Sequence, residues 1–377
     1  MEKLSGLYVH IPYCTSRCSY CAFAVVHNGY AGRHRYFDAL KRELDGYLQL
    51  QGGEFVGFET VSFGGGTPSL VEPELIAGLI DAAPLIDEAE ISIEVNPESC
   101  DPQRLEELVA AGVTRASVGV QSFDDRVLKY FGRSHDAHGA KVAIEAAASS
   151  GFDSVSIDLV YGAPVESERS WDYTVDELID LSDLLQHLSA YALQIEPRTK
   201  LHWMADPPTE EADLAGRYLR LDERLAEVGL KNYEISNWSR PGAESRHNST
   251  YWNGGGYLGI GMSSHSFDGQ TRWWNVANLA GYLACVEGSG QAVAGSERLT
   301  NSQIAMERIM LGLRTSRGLD TATVAVPGRF LDRELEDWFE ISGDSARLTA
   351  RGRLLADAIA LRILQSVEEG RDKDETD

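Results

Sequence analysis

The chain has 377 residues, 43% of them hydrophobic and 24% charged, proportions that suit a globular protein with one large domain and a smaller one. Its 34 basic and 58 acidic residues give a net charge of −24, which argues against a protein built to coat nucleic acid and is compatible with a soluble enzyme or chaperone. No apolar run reaches transmembrane length, and five cysteines, an odd number, argue against a disulfide framework and for metal or redox chemistry.

The first apolar stretch, in MEKLSGLYVHIPYC, is too short for a secretory signal, so a cytoplasmic address is expected. From there to about residue 195, strand-like runs (LYVHIP, TVSFGGG, EISIEV, ASVGVQS, SVSIDLVYG and HLSAYALQI) alternate with helix-period segments at 34–50, 72–83, 101–111, 137–149 and 171–181. Six β-then-α units imply a parallel sheet with right-handed crossovers. Six strands do not close an eight-stranded barrel, so the fold class expected is α/β, a partial (β/α)6 barrel open on one side. A charged helix at 209–230 follows, then an irregular stretch rich in glycine and aromatic residues at 233–282. The segment 299–365 returns to helical periodicity around a hairpin-like DWFEISGDSARLT, which suggests a small, mainly helical, winged-helix-like module. These features divide the chain into a barrel (1–235), an extension (236–298), a C-terminal helical domain (299–367) and an acidic tail (368–377).

Cys14, Cys18 and Cys21 form a C-x3-C-x2-C cluster directly after the first strand. Zinc sites converge from two knuckles and no second pair exists here, although His10 or His27 could complete a three-thiol site. Four-iron clusters ordinarily take four thiolates; three would leave one iron open to a further ligand. GGGTP (64–68) allows close backbone approach or is simply a tight strand-to-helix turn. Glu94 and Asp158 lie in apolar strand runs near the ends where a parallel barrel gathers its chemistry. With Gln121 and Arg133 they form either a binding set or a barrel-mouth salt-bridge network. In RHNSTYWNGGGYLGIGMSSHS (246–266), histidine, aromatics and glycines suit a flat hydrophobic ligand with an axial nitrogen donor, or else a glycine-rich loop with His247 merely hydrogen bonded. Cys100, Cys285 and the apolar stripe at 304–313 read as core.

LYVHIPYCTSRCSYCAF resembles the cluster loop of the radical S-adenosylmethionine (SAM) superfamily, in which three cysteines hold a [4Fe–4S] cluster and SAM chelates the fourth iron. HIPYC, GGGTP, IEVNPE, VGVQSF, GRSH and DLVYGAP, in that order, resemble the branch of oxygen-independent coproporphyrinogen oxidase and the HemW-type haem chaperones. The resemblance implies that Cys14, Cys18 and Cys21 ligate the cluster. It implies that SAM is bound by Tyr8, Gly65, Gly66, Thr67, Pro68, Glu94, Gln121, Arg133, Asp158 and Ala192. His247-Asn248-x-x-Tyr251-Trp252 is similar to the HNxxYW haem-contact motif of the chaperones, with His265 a second candidate axial ligand. In the oxidases, one-electron cleavage of SAM begins decarboxylation of porphyrinogen propionates to vinyls. In the chaperones the implied function is haem binding and delivery to membrane haemoproteins, with peripheral membrane contact. Phe23 stands where the oxidase motif has a further cysteine, only about six residues precede the first strand, and HNxxYW is present. All three point to the chaperone side; the oxidase or a haem-modifying radical SAM enzyme is the alternative. The electron donor, the recipient haemoprotein and the oligomeric state are not fixed by the resemblance.

Overall fold

Alternate residues of the first strand, β1 (Leu4–Ile11), divide between two environments. Leu7, Val9 and Ile11 are wholly buried against helices, whereas Gly6, Tyr8 and His10 face the opposite side, where polar groups collect. The computed structural model, which describes residues 4–27, 32–50, 55–204, 206–320 and 336–374, repeats this division along a parallel sheet. Its strands are β1, β2 (Phe58–Gly65), β3 (Leu85–Val95), β4 (Arg115–Gln121), β5 (Ser154–Tyr161) and β6 (His187–Ala192), side by side in chain order.

The crossovers carry α1 (Arg33–Leu50), α2 (Pro73–Ile80), α3 (Pro102–Ala110), α4 (Asp125–Phe131), α5 (Ala137–Ser149) and α6 (Glu168–Asp180), with α7 (Glu211–Glu227) after β6. Several start where a short polar side chain caps free backbone N–H groups: Asp101 accepts from Arg104, Asp136 from Gly139 and Ser167 from Ser170. The α4 helix, capped by Asp124, is an element the sequence pattern did not reveal.

The stretch at 233–282, expected to be irregular, is instead largely ordered structure. It supplies β7 (Lys231–Glu234) and β8 (Asn237–Ser239) on one edge, α8 (Arg246–Trp252), and then β9 (Gly256–Ile260), β10 (His265–Phe267) and β11 (Thr271–Asn275); α9 (Leu279–Ser289) and β12 (Val293–Arg298) follow. β9 lies parallel to β1, so among the described residues seven strands of this sheet, not six, run parallel. The order across the twelve-stranded sheet is β12-β11-β10-β9-β1-β2-β3-β4-β5-β6-β8-β7, and the sheet runs through the boundary expected at residue 236. Short glycine-rich strands lack a clear period-two pattern, which hid them.

The C-terminal part has its own core, formed by Leu313, Leu319, Phe339, Ala346, Leu348, Ile359 and Ile363. It combines α10 (Asn301–Gly312), a small sheet of β13 (Leu319–Asp320), β14 (Phe339–Ser342) and β15 (Ser345–Leu348), and α11 (Ala356–Asp374). β14 and β15 are the expected hairpin. The stripe at 304–313 joins this core only in part: Leu313 is wholly buried in it and Ile309 packs against it, while no residue of α10 itself is fully buried. Cys285 is exposed rather than internal, while Cys100 is buried. Arg353 ties this part to the barrel by donating to Asn232 Oδ1 at 2.6 Å and Asp222 Oδ2 at 2.7 Å.

Candidate functional site

The GGGTP turn and the cysteine loop are zipped together by backbone. Gly66 N donates to Ile11 O and Thr67 N to Tyr13 O, both at 2.8 Å. A Cβ on Gly66 would stand 2.7 Å from Tyr13 O and 2.8 Å from Pro12 C, closer than side chains pack, so only glycine allows the approach. Gly65 has φ of 110° and its own Cβ would collide with the His10 ring at 2.5 Å. Gly66→Ala is therefore expected to push the cysteine loop away, lowering both thermal stability and the iron retained after anaerobic reconstitution; normal iron content with an unchanged melting temperature would refute it.

This zipper places Cys14, Cys18 and Cys21 on one wall of a cavity of about 360 Å³ at the C-terminal ends of the parallel strands. The same cavity is lined by Gly65, Gly66, Thr67, Glu94, Gln121, Arg133, Asp158 and Ala192, so most residues singled out from the sequence converge there. Two do not line it. Pro68 is buried at the start of a short 3-10 turn, and Tyr8 lies deeper in the barrel, its hydroxyl 3.2 Å from His10 Nδ1. Asn96, Tyr191 and Ser117 line it without having been singled out. Asn96 stands inside the quoted IEVNPE motif. Its amide donates to Thr67 Oγ1 at 2.8 Å and its carbonyl oxygen accepts from Arg133 Nη2 at 2.6 Å, which fastens three motifs to each other.

Gln121 ends β4 with φ of 68°, a left-handed conformation that costs a non-glycine residue about 1 kcal/mol or more and turns the chain toward the cavity. Glu94 projects into the cavity and accepts from Gly65 N at 3.2 Å. Exclusion of bulk water by the surrounding protein, reinforced by Asp158, pushes its carboxyl up to about 7. Asp158 is also raised by burial, against the pull of the Ser189 and Ser117 hydroxyls; Ser117 Oγ lies 3.0 Å from its Oδ1. Two enclosed carboxyls facing one cavity suit a ligand that brings positive charge.

The thiols are the groups able to hold a metal centre. Arg133 Nη1 donates to Cys18 Sγ at 3.3 Å, and Thr67 Oγ1 to Cys14 Sγ at 3.7 Å. Burial raises Cys14 to about 11 and raises Cys21 too, so ligation must expel their protons. Among the described residues no three His, Cys, Asp or Glu side chains close on a single ion. His10, weighed as a fourth zinc ligand, holds Ala24 O with Nε2 at 2.8 Å and Tyr8 with Nδ1. A cube with one thiolate on each of three irons needs thiols spread along a wall, and the donor set fits it.

The HNxxYW segment forms α8 at the opposite, N-terminal end of the strands. There the backbone N–H groups of Arg246 and His247 donate to Glu90, at 3.2 and 3.0 Å. His247 is buried: Nδ1 meets Thr60 Oγ1 at 2.8 Å and Nε2 meets the Tyr251 hydroxyl at 2.7 Å. Burial lowers it to about 3, so the imidazole is neutral. Asn248 and Trp252 are half-buried on the same helix, and His265 is exposed, stacked on Trp274.

The family model for the radical SAM superfamily matches residues 8–178. A Mycobacterium tuberculosis protein named heme chaperone HemW is 38% identical, with 95% of this chain and 94% of that one covered; its Bacillus subtilis namesake is 30% identical, covering 94% and 98%. The chain belongs to the radical SAM superfamily, in its HemW-type branch. A mouse protein named radical S-adenosyl methionine domain-containing protein 1, mitochondrial, is 34% identical over 95% of this chain and 83% of its own. Among solved structures, Escherichia coli coproporphyrinogen III oxidase superposes with a TM-score of 0.80 at 24% identity, covering 96% of this chain and 90% of that one. That likeness confirms the α/β fold. Membership of a radical SAM family implies a [4Fe–4S] cluster and SAM. No helix among the described residues is long and apolar enough to cross a membrane.

Proposed function

We propose that this chain is a haem chaperone that carries a [4Fe–4S] cluster on Cys14, Cys18 and Cys21, binds SAM in the adjoining cavity and passes haem to membrane haemoproteins. The observation that carries this reading is the end-to-end likeness to proteins named heme chaperone HemW. Phe23, exposed where the oxidase motif has a further cysteine, agrees with it.

In this reading the cluster, when bound, supplies a one-electron reductant. Gly65 and Gly66, whose N–H groups are held by Glu94 and Ile11, present backbone without side chains to the amino-acid end of SAM, Thr67 lines the wall beside them, and Glu94 and Asp158 face its positive charge. Ala192, Gln121, Arg133 and Tyr8 shape or support the pocket, and Pro68 fixes the turn that presents Thr67. Because Glu94 titrates near 7 before ligand binding, a cation must displace its proton. SAM affinity is therefore expected to rise as pH increases from 6 to 8, and Glu94→Gln to weaken binding and flatten that profile; calorimetry in buffers of different ionisation enthalpy would also detect proton release. A profile unchanged by Glu94→Gln would count against the assignment.

Haem is assigned to the segment of His247, Asn248, Tyr251 and Trp252. The neutral imidazole is the form that binds iron, but both its nitrogens are engaged. Axial ligation thus requires Nε2 to leave Tyr251 or Nδ1 to leave Thr60. His247→Ala is expected to weaken haem binding severalfold with cluster content unchanged, and Tyr251→Phe, which frees Nε2, to strengthen it. Absorbance titration of anaerobically reconstituted protein measures both; failure of the unsubstituted protein to bind haem stoichiometrically removes the chaperone reading. Decarboxylated product from coproporphyrinogen III, SAM and a reductant would establish the oxidase instead.

A further inference from the structure

GRSH and IEVNPE each carry a second ionisable side chain two residues beyond a member of the cavity's hydrogen-bond clasp: His135 beyond Arg133, and Glu98 beyond Asn96. The two pairs are clamped in parallel. Arg133 Nη2 donates to Gly119 O at 2.9 Å and to Asn96 Oδ1 at 2.6 Å. His135 Nε2 meets the next carbonyl of β4, Val120 O, at 3.0 Å, and its Nδ1 stands 3.7 Å from Glu98 Oε2. Both side chains leave the segment between α4 and α5 and reach from the end of β4 to the turn after β3, one to an amide and one to a carboxylate.

The groups around His135 decide where its hydrogens belong. A carbonyl only accepts, so Nε2 carries a hydrogen. Nδ1 belongs to a side chain 3% exposed and has no hydrogen-bond partner among the described residues. A lone pair there would face an anion, whereas a proton there faces an opposite charge. Glu98 is that anion: burial pushes its carboxyl up, but His135, Arg133 and Ser134 together bring it down to about 2. Glu98 also lines the cysteine cavity, beside Arg133 and Ser134. Arg133 has a second task there, donating from Nη1 to Cys18 Sγ at 3.3 Å, and its Nε is untied, without a hydrogen-bond partner among the described residues.

We propose that Glu98 and His135 are positioning residues for the cluster: His135, protonated on both nitrogens, holds Glu98 through Nδ1, and this pairing leaves Arg133 on Cys18. The inference rests on the reading of Cys14, Cys18 and Cys21 as cluster ligands. Hydrogen bonds to a ligating sulfur and the charge around it set the potential of an iron–sulfur cluster. Without His135, Glu98 draws on Arg133, the guanidinium leaves Cys18, and reduction, which adds negative charge to the cluster, becomes less favourable.

The first test needs no cluster. In full-length apo-protein labelled with 15N-histidine, the NMR signals lost in His135→Gln identify His135. At neutral pH both its nitrogens are expected to carry hydrogen, and Glu98→Gln is expected to remove the one on Nδ1. A neutral ring in the parent, or a ring unchanged by Glu98→Gln, would overturn the proposal. The second test is a redox titration of reconstituted protein followed by EPR. His135→Gln, which keeps a donor for Val120 O, is expected to hold its iron but to be about tenfold less readily reduced, a one-electron midpoint about 59 mV lower. That drop is expected to vanish when Glu98→Gln is added, which a mere packing role of His135 would not allow. An unchanged midpoint in His135→Gln, or an equal drop with and without Glu98, would overturn the proposal; His135→Asn serves where His135→Gln fails to fold. A parent that takes up no iron would remove the cluster reading and the role of the pair with it, whereas a neutral His135 in protein that holds its iron removes this proposal alone.

Discussion

Cys18→Ala is expected to give a folded, colourless protein, with iron and sulfide falling from a full cluster to near zero after anaerobic reconstitution. The cube depends on three thiolates at once, and the remaining pair would leave two irons without a protein ligand. The variant should nevertheless fold, because the loop is held by its backbone. Ser19 N donates to Phe131 O at 2.8 Å, Leu201 N to Ser19 O at 2.9 Å, and the GGGTP turn clasps Ile11 and Tyr13. Arg133 loses its contact with the thiol but retains Asn96 and Gly119 O. Cys285→Ala, at an exposed site on α9, is the control and should keep its iron. Iron retained in the Cys18 variant, or zinc in the unsubstituted protein, would dismantle the site as described.

Glu43→Ala is expected to destabilise the fold by about 3 kcal/mol, read as a lower urea midpoint at unchanged slope. Glu43 is wholly buried on α1 and accepts from Gly261 N at 2.9 Å, Asn275 Nδ2 at 2.6 Å and the Tyr282 hydroxyl at 2.7 Å. One carboxyl therefore fastens α1 to the turn after β9, the end of β11 and α9. Removing it orphans the Gly261 and Tyr282 donors, while Asn275 keeps Gly261 O and Ser264. Glu43→Gln should cost less, because its remaining oxygen can serve Gly261 and Tyr282. The two variants also differ from the parent in pH dependence. Burial raises Glu43 from 4.5 to about 7, so the folded state holds this proton more tightly than the unfolded chain. Its contribution is then fully present below the unfolded value near 4.5 and is lost as pH rises toward 7. Glu94, Glu166 and Glu234, each raised to about 7, act in the same direction. Glu43→Gln should reduce the stability lost between pH 5 and 7.5; an unchanged loss would show that Glu43 does not titrate as described.

The legible part of the site was the part written in short contiguous motifs. Cys14, Cys18 and Cys21 fall within eight residues, and GGGTP follows a strand, so chemistry and position could be read together. Asn96 was missed although it lies two residues from Glu94, because its role is to join Thr67 to Arg133, a relation between distant segments. Tyr191 and Ser117 were missed because nothing local distinguishes an inward-facing strand residue from an outward one until the register is set. The HNxxYW segment was legible as a motif but not in its setting: its histidine lies in the barrel's lower end with both nitrogens engaged, a fact that depends on Thr60, 187 residues away in sequence.

By itself the sequence determined the βα alternation, hence the parallel sheet, and the three thiols beside a glycine turn, because strand periodicity, helix caps and ligand spacing are local properties. The tertiary structure alone decided that a seventh parallel strand, β9, flanks β1, that Glu43 and Glu234 are buried carboxyls, and that α8 closes the end of the barrel opposite the cysteines. Those outcomes depend on pairing and desolvation between segments up to about 250 residues apart, where burial and dielectric are set by neighbours that no local pattern encodes.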